Sequence, residues 1–324
     1  MTRYFQYSAF PGITILILMV SFLSFTSAGA EPHGELIVFH AGSLAVPFKK
    51  IGKSFTKKYP GVTVYCEAAG SRTCARKITD LNRPCDVMAS ADYTVIEDLL
   101  LPHYADWNIS FATNEMAIMY RPESRYADEI NDRNWYEILL REGVEYGHSD
   151  PNSDPCGYRS RLVWQLAEAY YKIPGLYKNL KEKCPLRNVR PKETDLIAIL
   201  EAGHLDYLFI YLSVCKQHNT PFVILPDEIN LKSALHKDFY KKAKIKISGK
   251  RPGEFVEKAG MPMIYGITIP KNAKNFELAV QFVAFVIGPP GRKIMQRNGQ
   301  PPILPPRATG KADLLPPDLK DLVK

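Results

Sequence analysis

The chemistry missing from this 324-residue chain narrows its function before anything present does. There is no G-x-x-x-x-G-K-[ST] phosphate loop, so any ATPase it depends on is another chain. There is no G-x-S-x-G elbow and no H-E-x-x-H helix, which removes two common signatures of exported hydrolases. None of the six cysteines has C-x-x-C spacing, and the seven histidines (His33, His40, His103, His148, His204, His218 and His236) show no ligand spacing. A structural zinc site is therefore not expected. Beyond residue 30 no apolar run is long enough to cross a bilayer, and no internal repeat is visible.

The first 30 residues are almost without charge, Arg3 being the only one. An apolar run over 13–25, broken only by Thr14, Ser21 and Ser24, leads to Ala28-Gly29-Ala30. Charge, run and small-x-small site together predict a secretory signal peptide cut after Ala30. A retained membrane anchor is the alternative, but the run is short for a span. No cysteine lies near the cleavage point, so a lipid anchor is not expected. Without Arg3 the net charge of +8 falls to +7. That suits an anionic partner, but the charge is diffuse, densest at Lys57-Lys58 and over 241–250. Solvated faces explain it better than nucleic-acid binding. An exported chain permits disulfides; six cysteines allow 15 full pairings, and Cys66 with Cys85, each near a strand candidate, is one possibility.

The remaining pattern alternates between strand and helix. Strands are expected over 35–40, 62–68 and 85–89, with helices over 46–58, 71–81 and 93–100. After a strand over 114–120, a second series follows: strands over 144–148, 205–210 and 222–225, helices over 158–171, 193–202 and 211–218. A strand over 263–269 and an amphipathic helix over 276–287 come next. The lysine-rich stretch 226–260 has no clear pattern, and the proline-rich end from Pro301 is expected to wrap or fray. Such alternation implies an α/β protein with doubly wound sheets, which bind ligands beyond the carboxyl ends of their strands.

Two corners fall at those ends. Ala41-Gly42-Ser43 follows the first strand and Ala69-Gly70-Ser71 the second. Small residues there let backbone N–H groups and a hydroxyl face a guest, and the helix start behind each favours an anion. In the second series Asp154-Pro155-Cys156 precedes a helix, with the Cys156 N–H expected to point into the cleft. Tyr211 follows a strand and stands at a helix start, and Glu193 stands at the start of its own helix. Taken singly, each has a plainer explanation: a turn, an N-cap, a core tyrosine, an acid complementing a helix dipole.

Taken together, these motifs resemble a family. Phe39-His40-Ala41-Gly42-Ser43-Leu44, Ala68-Ala69-Gly70-Ser71, Asp154-Pro155-Cys156-Gly157-Tyr158-Arg159-Ser160, Phe209-Ile210-Tyr211 and Tyr265-Gly266-Ile267-Thr268-Ile269-Pro270 are similar to the tungstate/molybdate-binding proteins of ABC importers, in the branch known best from archaea. The similarity spans about 34–307. It implies a two-lobed periplasmic-binding-protein fold of type II, each lobe a doubly wound mixed sheet flanked by helices, with the ligand in the cleft. The expected division is a signal peptide over 1–30, lobe 1 from 31–112 and 268–310, lobe 2 from 113–267, and a tail over 311–324. The resemblance further implies oxyanion contacts at Gly42, Ser43, Ser71, Asp154, Pro155, Cys156, Glu193 and Tyr211. Asp154 and Glu193 would ligate the metal centre directly, Glu193 matching by its spacing of 18 before Tyr211. Ser153 replaces a second acid found in some relatives, leaving Asp150 as a weaker substitute. The short stretch 172–192 leaves Asp195 as the fallback for Glu193.

Two acids facing a dianion make sense only for certain guests. Sulfate and phosphate have saturated centres and would be repelled. Molybdenum(VI) and tungsten(VI) are large, hard centres that accept further oxygen ligands. The expectation is a non-enzymatic, monomeric, periplasmic binding protein without a cofactor. Its partners would be the oxyanion, a membrane permease and that permease's ATPase. The alternatives are a sulfate, phosphate or ferric-ion binder, and an exported hydrolase in which His40 activates Ser43.

Overall fold

The fold grows from the strand Gly34–Ala41, whose residues from Val38 onward are all buried. In the computed structural model, which describes residues 1–6 and 32–324, this strand lies inside a six-stranded sheet. The expected apolar leader and its cleavage point at Ala30 lie outside the described residues. The strand is apolar on both sides because both faces are covered by helices. On one face the helix Ala45–Lys58 buries Phe48, Ile51 and Phe55, and Phe55 meets Phe282 and Phe285 of the helix Phe276–Ile287 edge-on at 5.2 and 5.5 Å. Each such side chain contributes roughly 1.5–3 kcal/mol by leaving water. On the other face Phe39 packs with Cys74 and Ile78 of the helix Ser71–Thr79 and with Val95, Ile96 and Leu99 of the helix Tyr93–Leu99.

From edge to edge the first sheet runs Pro302–Gly310, Trp107–Thr113, Ile264–Thr268, Val87–Ser90, Gly34–Ala41 and Val62–Ala69. The last three are mutually parallel and the others join antiparallel. A second sheet runs Val189–Arg190, Tyr146–Ser149, Tyr207–Tyr211, Met116–Tyr120 and Phe222–Ile224, also mixed. The strand expected over 114–120 is the second of a pair. Trp107–Thr113 belongs to the first sheet and Met116–Tyr120 to the second, so the chain crosses at Asn114-Glu115. It returns just before Ile264, a few residues ahead of the expected 267/268 division.

Several expectations change here. The unplaced region 226–260 contains a hairpin, Lys244–Ser248 paired antiparallel with Phe255–Ala259. The proline-rich end wraps: Pro302–Gly310 is an edge strand, and Leu315 and Leu319 are buried. Prolines are tolerated there because an edge strand needs only one row of N–H donors. Glu193 precedes its helix, Asp195–Glu201, and does not belong to it. Cys66 and Cys85 are not joined; all six cysteines are free. Cys66 sits on the strand to one side of Gly34–Ala41 and Cys85 leads into the strand on the other. Two strand spacings are roughly 10 Å, beyond the ~7 Å a disulfide can span.

Asp86 fastens the first layer to the helix that returns to it. Its carboxylate accepts the Ile37 N–H at 2.8 Å and, through its other oxygen, the N–H groups of Lys274 and Asn275 at 2.8 and 3.0 Å. Asp86→Ala leaves three backbone donors without a partner and should lower stability by about 2–4 kcal/mol, measured by urea unfolding; a loss below about 0.5 kcal/mol would show that water replaces the carboxylate.

Candidate functional site

The carboxyl ends of strands from both sheets face each other, and the residues there touch in a closed ring. Gly42 begins it. A Cβ at this position would lie 2.7 and 2.9 Å from the carboxylate oxygens of Glu193, so a larger residue would displace the acid from its place. The Glu193 N–H donates to Asp154 Oδ2 at 3.0 Å. Asp154 is the N-cap of the helix Pro155–Tyr171, and its Oδ1 accepts the Cys156 N–H at 3.1 Å. A Cβ on Gly70 would lie 2.4 Å from the Ser153 carbonyl oxygen and 3.0 Å from Asp154 Cβ. Next along the chain, Ser71 Oγ accepts the Ala91 N–H at 2.9 Å. Arg159 donates to the Ala91 carbonyl at 2.7 Å and to the Tyr211 hydroxyl at 3.1 Å. The Tyr211 ring lies 6.4 Å from that of Tyr265, whose hydroxyl meets Ser43 Oγ at 2.9 Å. Four of these approaches, Gly42 to Glu193, Gly70 to Ser153, Ala91 to Arg159 and Tyr265 to Tyr211, bring the two lobes together. Ser43, Ser71, Asp154, Cys156, Glu193 and Tyr211 are all buried.

The two acids differ in kind. Both Asp154 oxygens are satisfied by backbone N–H groups, whereas Glu193 Oε1 and Oε2 are buried with no hydrogen-bond partner. Burial first, and the Asp154 charge second, push the Glu193 carboxyl well above the ordinary range. Among the described residues no group of three or more His, Cys, Asp and Glu side chains could hold a bare cation. The two substitute acids serve elsewhere. Asp195 pairs with Lys192 at 3.0 Å at the surface, and Asp150 accepts Ser153 Oγ and the Asn152 N–H within its own loop.

Two expected donors change character. The Cys156 N–H is spent on the Asp154 side chain and does not point freely into the cleft. Pro155 has no N–H; at the first helical position it presets the backbone and lacks only a donor that would otherwise be orphaned. His40 does not address Ser43. Its Nδ1 is bonded to the Ala41 carbonyl at 2.8 Å, and burial pulls its pKa down to about 4. The Cys156 thiol is pushed far up by burial, so it is no nucleophile at neutral pH.

Sequence reasoning assigned no role to Arg159, Asp92, Asn114 or Tyr265. Arg159 is buried, and it ion-pairs across the interface with Asp92 at 3.4 Å. Tyr158 OH donates to the same carboxylate. A usable signal existed: Arg159 follows Pro155 by four residues, one helical turn, and so shares its face. The hairpin adds a second grip on the first lobe: Lys258 reaches Asp98 at 2.5 Å and Arg76 reaches the Gly249 carbonyl at 2.8 Å.

Comparison with known proteins bears directly on this arrangement. The profile described as "Bacterial extracellular solute-binding protein" matches residues 36–300. The chain belongs to that family. This solute-binding protein is 60% identical to an uncharacterized solute-binding protein of Petrotoga mobilis, over 90% of each chain. It is 41% identical to the molybdate/tungstate-binding protein WtpA of Pyrococcus abyssi, over 97% of this chain and 98% of that one. Among solved structures, the periplasmic molybdate-binding protein of Azotobacter vinelandii superposes with a TM-score of 0.60, covering 82% of this chain and 98% of that chain at 16% identity. The architecture is thus the two-lobed periplasmic-binding-protein fold, two mixed sheets flanked by helices. Among the described residues no helix is long and apolar enough to cross a membrane.

Two outcomes follow from this geometry. Gly70→Ala puts a methyl group into the Ser153 carbonyl of the opposing lobe, so it should destabilise the closed form; guest affinity, measured by calorimetric titration, should fall by at least about tenfold, and an unchanged affinity would show that the carbonyl gives way. Glu193 has its carboxyl raised in the fold. The stability of the guest-free closed form is therefore full below about pH 4.3 and is lost as pH rises toward the raised value. Glu193→Gln should remove that loss, raising the guest-free melting temperature by roughly 2–4 °C per kcal/mol recovered, more at pH 8 than at pH 5. Equal gains at both pH values would mean that Glu193 is not held in this environment.

Proposed function

We propose that this protein is the substrate-binding component of an ABC importer that captures tungstate or molybdate in the cell envelope and releases it to a membrane permease. The observation that carries the reading is Glu193: a fully buried carboxylate whose two oxygens have no partner, next to Asp154 and against the Gly42 corner, in a ring that also holds the buried Ser43, Ser71 and Tyr211. An unpaired buried acid is unfavourable by several kcal/mol. It persists where a guest completes it. Sulfate and phosphate centres take no fifth ligand, so they would meet Glu193 as repulsion. A tungsten or molybdenum centre accepts carboxylate oxygen, turning the same acid into a ligand.

In this reading Asp154 and Glu193 ligate the metal centre, while Gly42, Ser43, Ser71 and Tyr211 hold the oxyanion oxygens. Cys156 and Pro155 shape the Asp154 turn. The lobes open and close about Asn114-Glu115 and the segment before Ile264. The protein acts as a non-catalytic monomer, exported by a leader cut near Ala30, with the permease and ATPase as separate chains. The names of the relatives above point the same way. The position of His40, bonded to backbone and away from Ser43, disfavours the hydrolase alternative.

The test is a calorimetric titration of the mature protein with tungstate, molybdate, sulfate and phosphate. Tungstate and molybdate should bind at least about 100-fold more tightly than sulfate. Glu193→Ala and Asp154→Ala should remove most of that discrimination; sulfate binding as tightly as tungstate would defeat the reading.

A further inference from the structure

The hydroxyls that face the cleft are each approached from behind by a donor, and at Ser43 that donor is set by two residues with no assigned role. Asn114 lies in the first crossing between lobes. Its Oδ1 accepts the backbone N–H groups of Glu115 and Ser213 at 2.9 and 3.4 Å, which fixes the orientation of the amide. Its Nδ2 then donates at 2.8 Å to Ser213 Oγ and at 2.8 Å to the Tyr265 hydroxyl. Tyr265 lies on the strand that follows the second crossing. With its oxygen accepting from Asn114, the Tyr265 hydroxyl has Ser43 Oγ at 2.9 Å as the partner for its proton among the described residues. In that sense of the bond Ser43 accepts from Tyr265, and its own proton is left for a guest. All four side chains are buried, so water does not compete. The Gln300 amide holds the Ser43 carbonyl at 2.8 Å, fixing the residue's backbone as well.

We propose that Asn114 and Tyr265 are positioning residues, forming a one-way hydrogen-bond relay from the hinge that obliges Ser43 to donate its proton to the guest. The inference rests on the oxyanion reading of the cleft and deepens it. Ser71 and Tyr211 are set in the same sense by simpler means. Ser71 accepts the Ala91 N–H and Tyr211 accepts from the Arg159 guanidinium, both donor-only groups. The three hydroxyls thus present three protons, a pattern that suits the bare oxygens of a fully deprotonated oxyanion. The relay also joins the pocket to both crossings between lobes, so Ser43 is oriented by the segments that move.

The relay has a direction, and one atom sets it. In Asn114→Asp an oxygen replaces the amide nitrogen. It faces the hydroxyls of Ser213 and Tyr265, both able to donate, so the variant has no clash and no lost partner. Tyr265 then donates to the introduced carboxylate, Ser43 must donate to Tyr265, and the guest meets a lone pair. Tyr265→Phe simply frees Ser43 to rotate.

The experiment is a titration of wild type, Tyr265→Phe, Asn114→Asp, the double variant, and Ser43→Ala with and without Tyr265→Phe, using tungstate, molybdate, sulfate and phosphate, with guest-free melting of each. With the anion that wild type binds best, Tyr265→Phe should weaken binding about tenfold and Asn114→Asp about 100-fold. Adding Tyr265→Phe to Asn114→Asp should restore affinity to near the Tyr265→Phe level, although the introduced negative charge remains. In a Ser43→Ala background Tyr265→Phe should have no further effect on affinity, a result that a merely structural role would not produce. Two results overturn the relay: a double variant no better than Asn114→Asp, or a Tyr265→Phe loss that persists without the Ser43 hydroxyl. Should Asn114→Asp not fold, the Ser43→Ala cycle decides alone. If wild type prefers sulfate or phosphate, the tungstate reading fails while the relay is still judged with that anion; if wild type binds none of the four, both fall.

Discussion

A carboxylate held out of water without a partner is the constraint on which the rest of the cleft depends. Glu193 occupies that position, and its surroundings make sense as the means of keeping it there. Asp154 grips its backbone N–H, Gly42 leaves room for its oxygens, and Lys192 next to it pairs with Asp195. A lysine that paired with Glu193 would stabilise the guest-free protein, and in the proposed role it would blunt discrimination. Stability forgone in this way is common at functional sites.

Holding such a group requires the lobes to meet closely, and the glycine corners make this possible. At Gly70 a single methyl group would collide with the Ser153 backbone of the opposing lobe, and at Gly42 it would push on the Glu193 carboxylate. The constraint comes from space, not from backbone angle. Around the point of contact, charge does the fastening: Arg159 to Ala91 and Asp92 in the interior, Lys258 to Asp98 and Arg76 to Gly249 toward the outside. The interior pair is desolvated and hydrogen-bonded by further groups, so it defines one closed geometry. The outer contacts are more accessible and contribute less.

Much of this organisation is legible in the chain itself. The alternation of apolar strands and amphipathic helices requires layered sheets, and small residues at strand ends mark where a guest can approach the backbone. The Asp154–Ser160 run is specific because capping, turn and buried arginine chemistry coincide within about two helical turns. Local reading fails where distant segments decide. The crossing near Asn114 was expected, but the strand Trp107–Thr113 before it was not, because its place in the sheet is decided by pairing with segments far along the chain. Residues 226–260 had no pattern because a surface hairpin needs little core. The Cys66–Cys85 pairing overlooked the strand that lies between them.

The sequence by itself determined the strand–helix order and the two Gly-Ser corners, because these follow from neighbouring residues and short-range periodicity; the acids Asp154 and Glu193 it offered only through the family resemblance, with Asp195 left open. Tertiary structure alone decided that Asp154 would be satisfied and Glu193 bare, that Arg159 would reach Asp92, and that Asn114 and Tyr265 would stand behind Ser43. Those outcomes are polar contacts between residues 39 to 222 positions apart, whose direction depends on which donors and acceptors burial leaves without water.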